Sequence, residues 1–343
     1  MDFTTGGRFE VRITSADVGK RVSVRRLTEA GAPSEKFTDT VGVLTSWDSG
    51  VLSITRRSGE IVRIPESVLV AGKVVPGAPA RRRGPAARWD ELDRVAARAW
   101  PAALSARLGD WELRWAGGFT RRANSVLAVG DPGVPLDRAL KTVTAWYTQR
   151  GGPAYIQVST GGAGGAQEHL AAELAARGWI REVSALIRTA ALSPLADAAA
   201  DSDEEGARVV LTRAIDGAWL SRYRRFEETA PEVLKVLGGG PSVWFATVPA
   251  AEEGAPPAAI GRCVIDGRWA GFTAIEVAPG QRRQGLATAV MAALARKAQE
   301  EGASAAYLQV ESDNGPAGAL YDGMGFTTHH QYHHYRGPED DAR

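Results

Sequence analysis

A tetrapeptide that occurs twice constrains this chain more than any other feature. Tyr155-Ile-Gln-Val158 is echoed by Tyr307-Leu-Gln-Val310, and the flanking patterns repeat in the same order. An amphipathic run precedes each copy and stops at glycine. Leu136, Leu140 and Val143 share a helical face ending at Gly151; Leu286, Val290, Ala293 and Leu294 share one ending at Gly302. A second helical run follows each copy, then a glycine-aromatic step, Gly178-Trp179 and Gly325-Phe326, and then a last strand. Strand, helix, strand, helix, strand, used twice, is a repeated supersecondary unit. Residues 86–192 and 206–336 are therefore read as a duplicated α/β (α+β) domain.

At ~150 residues per domain, a chain of 343 residues has room for a third unit ahead of the repeat. Residues 1–75 read as all β. Short apolar runs at Phe9–Ile13, Val22–Val24, Val41–Leu44, Val51–Ile54 and Ile61–Ile64 are separated by turn residues such as Asp48-Ser49-Gly50 and Ser58-Gly59. Five such strands fit a small SH3-like barrel, a fold that by itself fixes no function. Residues 76–85, rich in Pro, Gly and Ala and carrying Arg81, Arg82 and Arg83, read as a linker that lets the barrel fold separately. The acidic, alanine-rich stretch 193–205 reads as a second linker.

Charge narrows the function classes. Lys and Arg total 41 against 40 Asp and Glu, a net +1, which excludes a chain built mainly to neutralise phosphate backbones. The balance is uneven along the chain: residues 1–85 hold 14 basic and 9 acidic side chains, and residues 201–343 hold 14 and 20. The lone cysteine, Cys263, excludes an intramolecular disulfide and a cysteine-rich zinc site. No apolar run approaches the ~18 residues of a membrane span. The opening residues have neither a basic leader nor an apolar core, so a cytoplasmic protein is expected.

The chemistry concentrates in Ala274-Ile-Glu-Val-Ala-Pro-Gly-Gln-Arg-Arg-Gln-Gly-Leu-Ala-Thr288. An apolar strand ends at Val277, and a helix opens near Gly285 after a short turn. Free amides at a helix start, with the positive end of its dipole and the guanidiniums of Arg282 and Arg283, suit a pyrophosphate. Gly285 allows close approach to the backbone, and Ala287 keeps the next turn small.

The run Arg282-Arg-Gln-Gly-Leu-Ala287 resembles the (Arg/Gln)-x-x-Gly-x-(Gly/Ala) signature of the GNAT superfamily of N-acetyltransferases, with the strand before it and the helix after it that the signature requires. Leu308-Gln-Val-Glu-Ser-Asp-Asn314, Ala319-Leu-Tyr321 and Met324-Gly-Phe326 resemble the same superfamily's later strand, final helix and closing Gly-Phe. The layout is similar to tandem GNAT chains, and the added N-terminal barrel to an actinobacterial group of them. The resemblance implies acetyl-CoA as co-substrate, with no metal. Backbone groups of Ile275 to Val277 would pair with the pantetheine arm, splayed strands would hold the thioester, and Arg283, Gln284, Gly285, Leu286, Ala287 and Thr288 would grip the pyrophosphate. Tyr321 stands where the family places a thiolate-protonating tyrosine; its alternative is a packing aromatic. Asn314 either contacts CoA or caps the helix that starts at Gly315-Pro316.

The first copy departs from the signature. Val129-Gly-Asp-Pro-Gly-Val-Pro-Leu136 has no arginine, two prolines and Asp131, so a carboxylate stands where an anion would sit. This half is expected not to bind CoA and to serve as scaffold or acceptor-site wall.

A general base is harder to read. Many family members use a glutamate near the position held here by Gly271. Glu276 is the nearest carboxylate, and strand alternation gives it the opposite parity to Gly271 unless a bulge intervenes. Glu227, Glu228 and Glu311 are further options. His329, His330, His333 and His334 invite a metal site, but same-face strand residues four apart are ~13 Å apart, too far for a chelate; they are expected to line a wet strand beside the acceptor cleft. Cys263, in an apolar strand, reads as buried and inert.

The expectation is an N-acetyltransferase acting by direct attack of a small-molecule or peptide amine in a ternary complex, without membrane or nucleic-acid partner. The acidic second half would favour cationic acceptors. The rival readings are a non-catalytic acyl-CoA-binding protein and a nucleic-acid- or peptide-binding module led by the basic barrel.

Overall fold

Alternating burial along short strands builds a five-stranded antiparallel sheet from β1 (Arg21–Leu27), β2 (Phe37–Asp48), β3 (Val51–Thr55), β4 (Ile61–Pro65) and β5 (Leu69–Val74), in the order β4-β3-β2-β1-β5. The structure, a computed structural model, describes residues 11–27, 37–75, 85–162, 165–198, 209–223, 230–252 and 254–338. Val22, Val24, Leu44, Leu52, Ile54 and Ile64 face inward with Ile13 and form the core of this small domain. Ser49 and Gly50, at φ 50° and 74°, make the left-handed pair that a tight hairpin between β2 and β3 requires.

The fifth strand is not the one the pattern suggested. Residues 9 and 10 lie outside the described residues, and Val11 makes only an isolated bridge to Gly72. The strand beside β1 is β5, whose Ala71 and Gly72 carry too little apolar signal to be read as a strand. Gly72 belongs there because Ile13 packs against its backbone; an added Cβ would stand 2.8 Å from that side chain.

Two compact units emerge: Met1–Arg81 with Val158–Glu182 and His330–Arg343, and Arg82–Gln157 with Val183–His329. The second sheet is built by α1 (Trp89–Arg98), β6 (Leu104–Leu108), β7 (Trp111–Trp115), β8 (Val126–Leu127), α2 (Leu136–Thr148), β9 (Tyr155–Thr160), α3 (Ala166–Ala176) and β10 (Ile180–Ala191). A second series follows: α4 (Leu192–Asp197), β11 (Val210–Thr212), α5 (Gly217–Arg222), α6 (Pro231–Gly238), β12 (Ser242–Val248), β13 (Ala259–Asp266), β14 (Trp269–Val277), α7 (Leu286–Glu300), β15 (Ala305–Glu311), α8 (Gly315–Gly323) and β16 (Thr327–Arg336). The order β6-β7-β8-α2-β9-α3-β10 is matched by β12-β13-β14-α7-β15-α8-β16, and β8 runs parallel to β9 as β14 does to β15. The architecture is α/β with a small all-β domain before it.

The eleven strands run β11-β12-β13-β14-β15-β10-β16-β9-β8-β7-β6. The last strands are exchanged. β10, which ends the first copy, pairs with β15 of the second from Ala185↔Glu311 to Ala191↔Ala305, and β16 takes the place beside β9. Neither half completes its sheet with its own chain.

The stretch expected to be a linker after residue 192 begins as helix. Leu192, Leu195 and Ala196 of α4 are buried in the core that α7 covers. Within the smaller unit the barrel bonds to later segments: Thr160 Oγ1 donates to Arg57 O at 3.0 Å, and Arg181 Nη1 donates to Ser58 O at 2.9 Å. Arg81, Arg82 and Arg83 lie outside the described residues.

Three of the four histidines of β16 are dry, not wet. His330, His333 and His334 are buried and His329 is half-buried, because β16 sits inside the sheet between β10 and β9. Thr160 spends its hydroxyl proton on Arg57 O, so it accepts from His333 Nε2, 2.8 Å away. Burial, with Arg181 adding to it, holds the His333 pKa down to about 3. Between pH 6.5 and about 3 the unfolded chain therefore takes up a proton that the folded chain refuses, and stability falls as pH falls, by up to about 1.4 kcal/mol per pH unit from this residue. His333→Gln keeps an N–H for Thr160 and removes the titration. Its melting temperature is expected to fall less than wild type between pH 6.5 and 4; parallel curves would refute this role.

Candidate active site

Strand β14 pairs with β15 only from Trp269↔Ala305 to Phe272↔Leu308, and beyond Phe272 the two separate. On its other side β14 carries an extra residue: Ile260 faces Glu276 while Arg262 faces Thr273, two steps on β13 against three on β14. Ala274 adopts φ 51° within this bulge, a left-handed conformation that a non-glycine residue holds only at some cost. The bulge answers the parity question. It brings Glu276 to the face of Gly271 and Thr273, and sends Ile275 and Val277 to the opposite face, where both pack on the core under α7.

Gly271 has a physical reason to be glycine. A Cβ there would lie 2.4 Å from the ring and hydroxyl of Tyr307, its partner on β15. The tyrosine fills the place of a side chain at 271, and Glu276, half-buried, is the carboxylate that this strand presents on that face.

The turn after β14 ends in two left-handed residues, Arg283 at φ 61° and Gly285 at φ 80°. Gly285 is the N-cap of α7 and offers no side-chain acceptor, so the amides of Leu286, Ala287 and Thr288 are left for an outside acceptor. No atom lies within 4 Å of the point where a Cβ at 285 would stand. Arg282, Arg283 and Gln284 are exposed around this opening. The donor set fits a pyrophosphate. In the first copy the corresponding loop satisfies itself: Asp131 N donates to Asp110 Oδ2 at 2.9 Å, and Gly133 N donates to Asp131 Oδ1 at 2.7 Å.

On α8, Tyr321 is half-buried, stands edge-on to Phe326 at 5.8 Å and packs on the same core as Ile275 and Val277. Asn314 caps α8, its Oδ1 accepting from Ala317 N at 3.2 Å. Glu311 is exposed, and Glu227 and Glu228 lie outside the described residues. Cys263 is fully buried, and burial pushes its thiol up to about 12. Among the described residues no group of three His, Cys, Asp or Glu side chains is placed to hold a metal, and no helix is long and apolar enough to cross a membrane.

Two arginines escaped the sequence reading. Arg188, on β10, reaches Gly318 O at 3.0 Å, Phe326 O at 2.6 Å and the Asp322 carboxylate, and so fixes the helix that carries Tyr321. Arg262, fully buried, donates to Leu237 O, Gly239 O and Ala99 O at 2.6, 2.7 and 3.0 Å, tying the ends of α6 and α1 together. Burial holds its pKa down to about 10. The signal for both was a lone arginine inside an apolar strand, where an unpaired charge would be costly.

A family model described as the C-terminal part of the probable histone acetyltransferase Rv0428c matches residues 87–335. One described as the Rv0428c N-terminal Sm-like domain matches residues 16–73. The uncharacterized N-acetyltransferase YobR of Bacillus subtilis (strain 168) is 27% identical over 253 residues, covering 72% of this chain and 97% of the relative. A GCN5-related N-acetyltransferase from Kribbella flavida superimposes with a TM-score of 0.50 at 16% identity, over 75% of this chain and 98% of its own.

Proposed function

The chain belongs to the family of the probable histone acetyltransferase Rv0428c and is a GNAT-type N-acetyltransferase, and we propose that its second copy alone carries the reaction, with the amine entering on the face of Glu276. The bulge at Ala274 carries this reading. Pairing of β14 with β15 ends at Phe272, short of Ile275 to Val277, and the bulge turns the half-buried Glu276 to the face of Gly271 and Thr273.

Acetyl-CoA supplies an activated acetyl thioester. Arg282, Arg283, Gln284 and Gly285, with the first amides of α7, hold its pyrophosphate, and the stretch from Ile275 to Val277, beyond the last β14–β15 pair, meets the pantetheine arm. Glu276 takes the proton of the attacking amine, and Tyr321 delivers one to the departing sulfur. Asn314 keeps α8 in place. Attack is direct, because the lone thiol, Cys263, is buried and its pKa of about 12 keeps it protonated at neutral pH. The surplus of carboxylates in residues 201–343 favours a cationic acceptor, and the family description makes protein lysines the first to try beside small amines.

The test is CoA release with a panel of lysine peptides and small polyamines. Tyr321→Phe is expected to lower kcat by ~10²-fold with KM little changed. Glu276→Gln is expected to lower kcat on a similar scale and to remove the acid limb of the pH profile. Full activity in both variants would return the two residues to packing and surface roles.

A further inference from the structure

The first copy carries a cleft that the proposed reaction does not use. Its volume is about 410 Å³, and it opens between α1, β6 and β7 over a floor that includes Leu127, Val129 and Arg114. That is the size of a small-molecule site.

Register explains why it is there. Val126↔Ile156 in the first copy corresponds to Phe272↔Leu308 in the second, so Leu127, the next residue on its strand, corresponds to Thr273. Glu112, opposite Leu127, then corresponds to Arg262, opposite Thr273, and Arg107, opposite Glu112, corresponds to Phe245, opposite Arg262. In the second copy Phe245 is buried against Trp219 of α5, at 5.3 Å between ring centres, and Trp219 donates to Gly261 O at 3.2 Å. Before α1 the described residues contain no counterpart of α5, and Arg107 stands exposed on that face of the first copy. Where the second copy has a phenyl ring beneath a tryptophan, the first has an exposed guanidinium.

The lining is rich in unused donors. Arg94, Arg98, Arg107 and Arg114 stand against Asp110 and Glu112. Arg114 is buried and committed to Ser125 and to Gln157 Oε1 at 3.1 Å, so it forms a fixed part of the wall. The other three spend little. Arg98 donates through Nε to Asp266 at 2.6 Å, Arg94 through Nη1 to Asp90 at 3.1 Å, and Arg107 through Nη1 to Asp110 O at 3.3 Å. Of the two carboxylates, Asp110 already accepts from Asp131 N, and Glu112 lies 3.9 Å from Arg107. Three guanidiniums with free N–H groups around one cleft match the fork geometry of carboxylate and phosphate oxygens.

We propose that this cleft binds a small polyanion bearing carboxylate or phosphate groups, at a site separate from the acetyl-CoA turn. The half that lost the phosphate turn would thus keep a ligand site of its own, on the face that corresponds to the amine face of its twin.

Calorimetry on the full chain tests this, with citrate and inorganic pyrophosphate as separate probes, at low salt. With the turn before α7 blocked, Gly285→Glu is expected to bind at least one probe at one site per chain, and wild type to bind that probe as well. Arg94→Gln/Arg107→Gln is expected to weaken that binding 10-fold or more while keeping the wild-type melting temperature and acetyl-CoA affinity. Which probe binds separates carboxylate from phosphate as the source. Should the double variant fail to fold, Arg107→Gln alone, at a side chain 68% exposed, is expected to weaken binding at least 3-fold. Absence of binding by both probes, wild-type binding in the arginine variants, or loss of binding in Gly285→Glu overturns the proposal. The last outcome would assign the anion to the turn before α7 and leave the acetyltransferase reading intact.

Discussion

Gly285→Glu is expected to abolish acetyl-CoA binding while leaving the fold in place. Glutamate puts a carboxylate at the mouth of the amides of Leu286 to Thr288, the donors proposed to hold a pyrophosphate, and two like charges within ~4 Å in a partly desolvated turn repel by several kcal/mol. A loss of 10²-fold or more in affinity follows, since each ~1.4 kcal/mol is tenfold. The fold should survive, because nothing lies within 4 Å of the position a Cβ would take. Only the φ of 80° resists a side chain, at ~1 kcal/mol. Calorimetry with a melting curve separates the two effects. Unchanged affinity in a folded variant would remove the anchor of the proposed site. Wild type should bind one acetyl-CoA per chain, because in the loop at Asp131 the amides of Asp131 and Gly133 are already committed to carboxylates; a stoichiometry of two would refute that reading of the first copy.

Local structure was legible in the sequence, and pairing between distant segments was not. The turn before α7 could be read from Arg282 to Ala287 because a helix start, a glycine and two guanidiniums are neighbours in the chain. The repeat gave the order of elements in both halves for the same reason. The parity of Glu276 stayed open because a bulge is a mismatch between two strands, and β13 carries half of it. The histidines of β16 read as wet because a polar strand reads as an edge; the exchange of last strands buries three of them instead. Gly271 looked like a lost base until Tyr307 was seen to occupy its space. Arg262 and Arg188 act on carbonyls 23 to 163 residues away, a distance at which no spacing rule operates.

Residues 201–343 are expected not to make a soluble, binding-competent domain, although they include every residue proposed to touch acetyl-CoA. The exchange of last strands is the reason. Removing the first copy deletes β10, and β15 loses the partners that run from Ala185↔Glu311 to Ala191↔Ala305. An internal strand becomes an open edge beside the strands that should hold the thioester, and such edges invite aggregation. Arg188 goes with β10, so α8 loses the bonds at Gly318 O and Phe326 O that hold Tyr321 in place. Arg262 keeps Leu237 O and Gly239 O but loses Ala99 O, leaving a buried charge with fewer partners. Losing a hydrogen bond at a buried charge costs ~1.5–3 kcal/mol, a sizeable share of the ~5–15 kcal/mol that holds a domain folded. The measurement is purification of the fragment, followed by acetyl-CoA binding. Co-expression with residues 1–200 is expected to recover a soluble complex, because each fragment then supplies the strand its partner lacks. A stable 201–343 fragment that binds acetyl-CoA as tightly as the whole chain would show that the second copy closes its sheet without β10, and would reduce the first copy to an appendage.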